Sequence, residues 1–145
     1  MQKVKYHKKI RLSREAYNTS NQPCSITICT ANKKSVFTNK HLSLEFVNLL
    51  KQHAGKYEIP VYAYCIMPDH VHLLISASLK KGIVDFIREI KSLSTKICWK
   101  HGYKGRIWQT SFYDHFIRKS EDLERTVRYI LDNPVRKNLA TEWQD

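Results

Sequence analysis

None of the four cysteines, Cys24, Cys29, Cys65 and Cys98, stands in a CxxC pair. That excludes a zinc ribbon or a thioredoxin-type motif, and the four read as reduced, mostly buried thiols of a cytosolic protein. No apolar run approaches the ~18 residues needed to span a bilayer. The first residues, "MQKVKYHKKIRLSREAY", are too basic and too interrupted for a secretory signal. They read as a basic arm over residues 1–22, ahead of one domain over 23–145. There is no internal repeat and no low-complexity linker. Acidic residues are scarce: 13 Asp and Glu stand against 25 Lys and Arg, a net charge of +12. That excess points to a polyanionic partner, nucleic acid before an acidic membrane surface. The competing reading is a basic surface that serves solubility alone.

What is present is enough for a folded core: 145 residues, 42% of them hydrophobic, suit one globular domain. "CSITICTANKK" (24–34) is β-branched and turn-bounded, hence a strand. Thr38 or Asn39 caps a helix to about His53, with Leu42, Phe46, Leu49 and Leu50 as its stripe and Gly55 ending it. "IPVYAYCIM" (59–67) and "HVHLLISA" (70–77) are strands joined by the turn pair Pro68-Asp69. Ile83, Ile87, Ile90, Leu93 and Ile97 form the stripe of a long helix that Gly102 stops. "SFYDHFIRK" (111–119) is a fourth strand, and Ser120 opens a last helix to Pro134. The order β-α-β-β-α-β plus one helix predicts an α+β, ferredoxin-like split βαβ sandwich. Right-handed crossovers put the strand of His70 and His72 inside the sheet, beside the first strand.

Side chains alternate across a strand, so His70 and His72 in "MPDHVHLLI" share a face. Two imidazoles so placed can hold a divalent metal side by side. Most HxH pairs, however, are ordinary core or surface histidines. A third ligand has to come from elsewhere in the fold. In "SEDLERTVRYILDNPVRKNLA", Leu123, Val127, Ile130 and Leu131 make one stripe. Tyr129 lies about 145° from its middle at about 100° per residue. It shares a polar face with Asp122, Arg125, Thr126 and Asn133. A solvent-exposed tyrosine explains this as readily as a functional one. Yet Asn133, at i+4, is one turn away, and its amide oxygen can ligate a hard cation. Pro134 disfavours helical geometry at Asn133 and makes it a helix-end residue. Arg118, Arg125, Arg128, Arg136 and Lys137 gather in the same part of the sequence and suit phosphate contacts.

Taken together, "ITICTANKKSVF", "MPDHVHLLI", "IWQTSFYDHFIR" and "RYILDNPVRKNLA" resemble the REP-associated tyrosine transposases, which are single-tyrosine HUH transposases. The resemblance spans about residues 24–140. It implies that Tyr129 is the nucleophile and that His70 and His72 hold the metal. Asn133 falls at the third-ligand position, where insertion-sequence relatives carry Gln. Asp69 stands in place of a frequent Asn. The implied cofactor is a divalent metal, Mg²⁺ or Mn²⁺, that polarises a scissile phosphate. The implied reaction cleaves and rejoins single-stranded or hairpin DNA through a 5′-phosphotyrosine. Ionising an ordinary phenol at pH 7 costs about 4 kcal/mol, which a nearby cation offsets. A phosphotyrosine keeps the diester energy, so strands rejoin without ATP. The expectation is thus a cytoplasmic, nucleoid-associated enzyme, monomer or homodimer, with no membrane partner. The alternative is a non-catalytic hairpin-binding protein on the same fold.

Overall fold

The computed structural model describes the backbone of residues 22–118 and 120–136, and the side chains of these except 120, 121 and 133–136. The basic arm expected over 1–22 therefore lies outside the described residues, apart from Gln22. Strand β1 (Cys24–Cys29) leads through two short 3-10 turns into helix α1 (Lys40–Tyr57). Strands β2 (Val61–Met67) and β3 (His70–Ile75) form the expected hairpin around Pro68-Asp69. Helix α2 (Ile83–Lys100), strand β4 (Tyr113–Phe116) and helix α3 (Ser120–Arg136) complete the chain. The sheet order is β2-β3-β1-β4, antiparallel throughout. This is the split βαβ arrangement expected, with the histidine strand in the interior of the sheet and the C-terminal helix added.

Strands β2 and β3 divide their side chains between two cores, and β1 and β4 contribute to the first. Ile26, Ile28, Val71, Leu73 and Ile75 point to the side of α1 and α2, where they pack with Phe46, Phe86 and Ile90. Ala63, Cys65, Met67 and Leu74 point the other way and meet Ile117, Ile130, Leu123 and Val127. Helix α3 therefore covers part of the second face, mainly over β2. All four cysteines are free thiols, and three of them are buried. Burial pushes the Cys98 thiol up to about 11.

Four local features differ from the sequence expectations. Asn39, one of the two caps expected, does open α1, its side chain accepting from the backbone N–H of His41 and Leu42. The helix then passes Gly55 and ends at Tyr57. There Glu58 takes the left-handed conformation (φ 54), and Ile59 N–H returns to the Ala54 carbonyl at 2.9 Å. Burial of Ile59 (4% exposed) against Ala54 sets this stop, not the glycine. In α2 the buried line runs through Ser94 and Cys98, with Leu93 and Ile97 half-buried. The Trp108 indole N–H donates to Ser94 Oγ at 2.9 Å, which turns that helix edge inward. Strand β4 is shorter than expected because Lys91 Nζ donates to the carbonyls of Gln109 and Ser111, drawing that segment toward α2. Helix α3 runs through Pro134, so Asn133 has a helical backbone instead of being the helix-end residue expected. In a last turn the proline removes only one i to i−4 bond.

Candidate functional site

The paired histidines lie where the split βαβ topology places them. Along β3, Val71, Leu73 and Ile75 face the two-helix core, and His70, His72 and Leu74 face the side covered by α3. The two imidazole rings sit 4.8 Å apart between centroids, at 84° to one another. Both residues are half-buried. Each ring is oriented through Nδ1. His70 Nδ1 is 2.6 Å from Asp69 Oδ1, and His72 Nδ1 is 3.0 Å from Thr27 Oγ1. Asp69 is the turn residue that precedes His70, and Thr27 is the cross-strand partner of His72 on β1. A carboxylate and a hydroxyl that accept Nδ1–H leave the Nε2 lone pairs as the ligating positions, the usual way a metal-binding histidine is held. The donor chemistry thus fits a divalent ion. Among the described residues no His, Cys, Asp or Glu completes a group of three. The third protein donor expected, Asn133, has its backbone in α3 and its side chain outside the described residues.

Helix α3 lies on the same sheet face as the histidines. Its apolar stripe holds it there: Ile130 is buried, and Leu123 and Val127 pack beside it over β2 and β3. Tyr129, off that stripe, is 40% exposed, as the helical periodicity requires. Arg125 and Arg128 are exposed on the helix, and Arg118 is exposed between β4 and α3. Arg128 is paired with Glu124 at 3.0 Å, in a pair too exposed to add much stability. The Arg136 side chain and the whole of Lys137 lie outside the described residues.

The other tyrosines separate clearly. Tyr64 and Tyr103 pack against the two-helix core. Tyr62 on β2 has its hydroxyl 3.3 Å from Ser76 Oγ. Tyr113 is different. It pairs with Thr27, which pairs with His72, so all three stand in one row on one face. Packing against the two-helix core therefore does not account for Tyr113. Neither Thr27 nor Asp69 is among the candidates that the sequence suggests. The adjacency of Asp69 to His70 is a usable signal, but the pairing of Thr27 depends on strand register and leaves no trace in a single sequence.

A family profile described as "Transposase IS200 like" matches residues 18–133. A REP-associated tyrosine transposase of Escherichia coli K12 is 31% identical over 123 residues, which are 82% of this chain and 70% of that protein. A Haemophilus influenzae protein described in the same terms is 35% identical over 114 residues, 70% of this chain and 64% of its own length. The chain thus spans about two thirds of these relatives. A solved REP-associated tyrosine transposase bound to a REP hairpin superposes with a TM-score of 0.74 at 22% identity, covering 88% of this chain and 74% of that one. A crystal structure of a Deinococcus radiodurans transposase gives a TM-score of 0.57 at 19% identity, over 83% and 95% of the two chains. At these identities the two structures speak for the fold. The sequence matches carry the further conclusion that the chain belongs to the IS200-like transposase family and, within it, to the REP-associated tyrosine transposases.

Proposed function

We propose that this protein cleaves and rejoins single-stranded DNA at hairpin elements, with Tyr129 as the covalent nucleophile. The observation that carries the reading is the pair His70 and His72, held through Nδ1 by Asp69 and Thr27 on the face that the tyrosine helix overlies. In the reaction the Tyr129 oxygen forms a bond to the scissile phosphorus. The P–O3′ bond breaks, the phenolic proton is lost, and the departing strand leaves with a protonated 3′-OH. The product is a 5′-phosphotyrosine that an incoming 3′-OH reverses. His70 and His72, with Asn133 as third donor, would hold Mg²⁺ or Mn²⁺, which supplies polarisation of the phosphate. Arg118, Arg125, Arg128, Arg136 and Lys137 contact the DNA backbone and fix its register. Hairpin DNA enters as partner by analogy with the REP hairpin held by the solved relative.

The test is direct. Labelled hairpin and duplex oligonucleotides are incubated with the protein and Mg²⁺ or Mn²⁺, then resolved under denaturing conditions. The expected product is a metal-dependent, SDS-resistant adduct on the hairpin and none on the duplex. If the five cations each neutralise one phosphate, affinity falls by roughly one hundred- to five hundredfold between about 50 and 200 mM salt, the larger figure for contacts on the stem. An affinity indifferent to salt, or no adduct on any hairpin, overturns the proposal.

The residues that orient the histidines make a separate prediction. Asp69→Ala removes the anion from His70 Nδ1, and Thr27→Val removes the oxygen beside His72. Each lowers Mn²⁺ affinity by about 10- to 100-fold in calorimetric titration. Thr27→Ser, which restores the oxygen, stays near wild type.

A further inference from the structure

The turn that joins β2 to β3 is gripped by its backbone. Phe37 N–H donates to the Pro68 carbonyl at 3.1 Å, and Thr30 N–H donates to the Asp69 carbonyl at 2.9 Å. Phe37 is itself buried against Phe46 and Trp108. Thr30, the residue just past β1, is a fully buried polar side chain. Its hydroxyl lies 3.0 Å from the Asp69 carbonyl and 2.9 Å from the Lys34 carbonyl. A hydroxyl has one proton, so the two oxygens share it. Thr30 is held in place by the segment before β4. Gln109 N–H donates to the Cys29 carbonyl at 2.9 Å, and Ala31 N–H to the Ile107 carbonyl at 2.7 Å. Gln109 Nε2 lies 3.4 Å from the Thr30 carbonyl, and Thr30 and Trp108 form an antiparallel bridge.

On the side-chain end of the same turn, the Asp69 carboxylate is 35% exposed and lies 2.6 Å from His70 Nδ1. A contact this open to water is weak when both partners move freely, because ordering them costs side-chain entropy. Asp69 has only two side-chain torsions, so a fixed backbone leaves its carboxylate few places to go. We infer that Thr30 is a positioning residue for the histidine site. By holding the Asp69 carbonyl it aims the Asp69 carboxylate at His70 Nδ1, and so keeps Nε2 as the ligating nitrogen. The inference deepens the proposed function and rests on it where the metal is concerned. The contact between Asp69 and His70 does not depend on a metal. The competing role for Thr30 is to pin the loop after β1 through the Lys34 carbonyl alone.

The experiment uses Thr30→Val, which keeps the shape and removes the donor, and reads two quantities. In metal-free protein, imidazole nitrogen NMR at one fixed pH reports the His70 tautomer. Wild type is expected in the Nδ1–H form, and Thr30→Val in a mixture with the Nε2–H form. In calorimetry, Mn²⁺ affinity falls about three- to tenfold, less than for Asp69→Ala, because the hydroxyl acts one step further from the ligand. Thr30→Ser returns both readouts to near wild type. In an Asp69→Ala background, Thr30→Val causes no further loss, as two residues acting through one contact require. Valine puts a methyl group against two buried carbonyls, so Thr30→Ala, which leaves room for a water there, serves as the second variant. An unchanged tautomer and Mn²⁺ affinity in either folded variant overturns the inference. So does an equal loss with and without Asp69, which would leave Thr30 as a loop pin. Wild-type protein that binds no Mn²⁺ and forms no adduct overturns the transposase reading, and the tautomer comparison then still decides the role of Thr30.

Discussion

Replacing His70 and His72 together by alanine abolishes cleavage of hairpin DNA and leaves most of the hairpin affinity intact. The two effects separate because they rest on different groups. In the proposed reaction cleavage needs a cation at the phosphate, and the adjacent imidazoles, 4.8 Å apart, are the only paired donors that β3 presents on the α3 face. Without them the stabilisation of developing charge is lost, several kcal/mol of barrier and so at least about 10³ in rate. In the same proposal affinity rests on the arginines of α3 and on long-range attraction from a +12 chain, which the substitution leaves in place. Either single alanine leaves one imidazole and also stops cleavage at ordinary metal concentrations. Asn133→Ala has a smaller effect, because an amide oxygen is the weakest of the three donors. Truncating two half-buried rings at a sheet surface costs some stability, so His70→Gln/His72→Gln, which keeps most of the volume, serves as the second variant. Cleavage on a denaturing gel and Mn²⁺ binding by calorimetry are read in parallel. Normal cleavage by the double alanine variant removes the histidines from the mechanism.

The frame that places these histidines is legible in the sequence, because it depends on local periodicity. The alternation in "HVHLLI" and the 3.6-residue stripes of α1 and α2 are each contained within one element. Their order admits few right-handed topologies. The features that escape a sequence reading are those in which a distant side chain overrides a local signal. Gly55 has the look of a helix stop, but Ile59 has to reach the core, and the helix ends where that becomes possible. Lys91 shortens β4 from across the helix layer. Pro134 has the look of a terminus, although a last turn tolerates it. The same division holds at the site. The HxH spacing and the polar placement of Tyr129 are local and readable. Thr27 stands beside His72 only once the strands are in register.

Tyr129→Phe eliminates the SDS-resistant protein–DNA adduct and all cleavage, and leaves folding and hairpin affinity unchanged. The substitution removes one oxygen and keeps the ring. Tyr129 is 40% exposed and stands off the Leu123, Val127 and Ile130 stripe that anchors α3. Loss of a hydroxyl at such a position costs at most about 1 kcal/mol of stability, far too little to unfold the helix from the sheet. If Tyr129 is the nucleophile, however, no other group replaces the bond it makes to phosphorus, and the adduct falls to nothing instead of declining by a factor. The decisive companion is Tyr113→Phe. Tyr113 shares a row with Thr27 and His72, so it is the tyrosine that geometry alone would nominate as rival. It stands on the short strand β4, in line with His72 across Thr27, and its role by this reading is to border the site. Tyr113→Phe is therefore expected to retain the adduct. An adduct that survives in Tyr129→Phe and vanishes in Tyr113→Phe transfers the nucleophile to β4. Mixing Tyr129→Phe with the double histidine variant adds one more outcome. Adduct recovered in the mixture means that the tyrosine of one copy serves the histidines of another, and its continued absence means that each chain builds its own site.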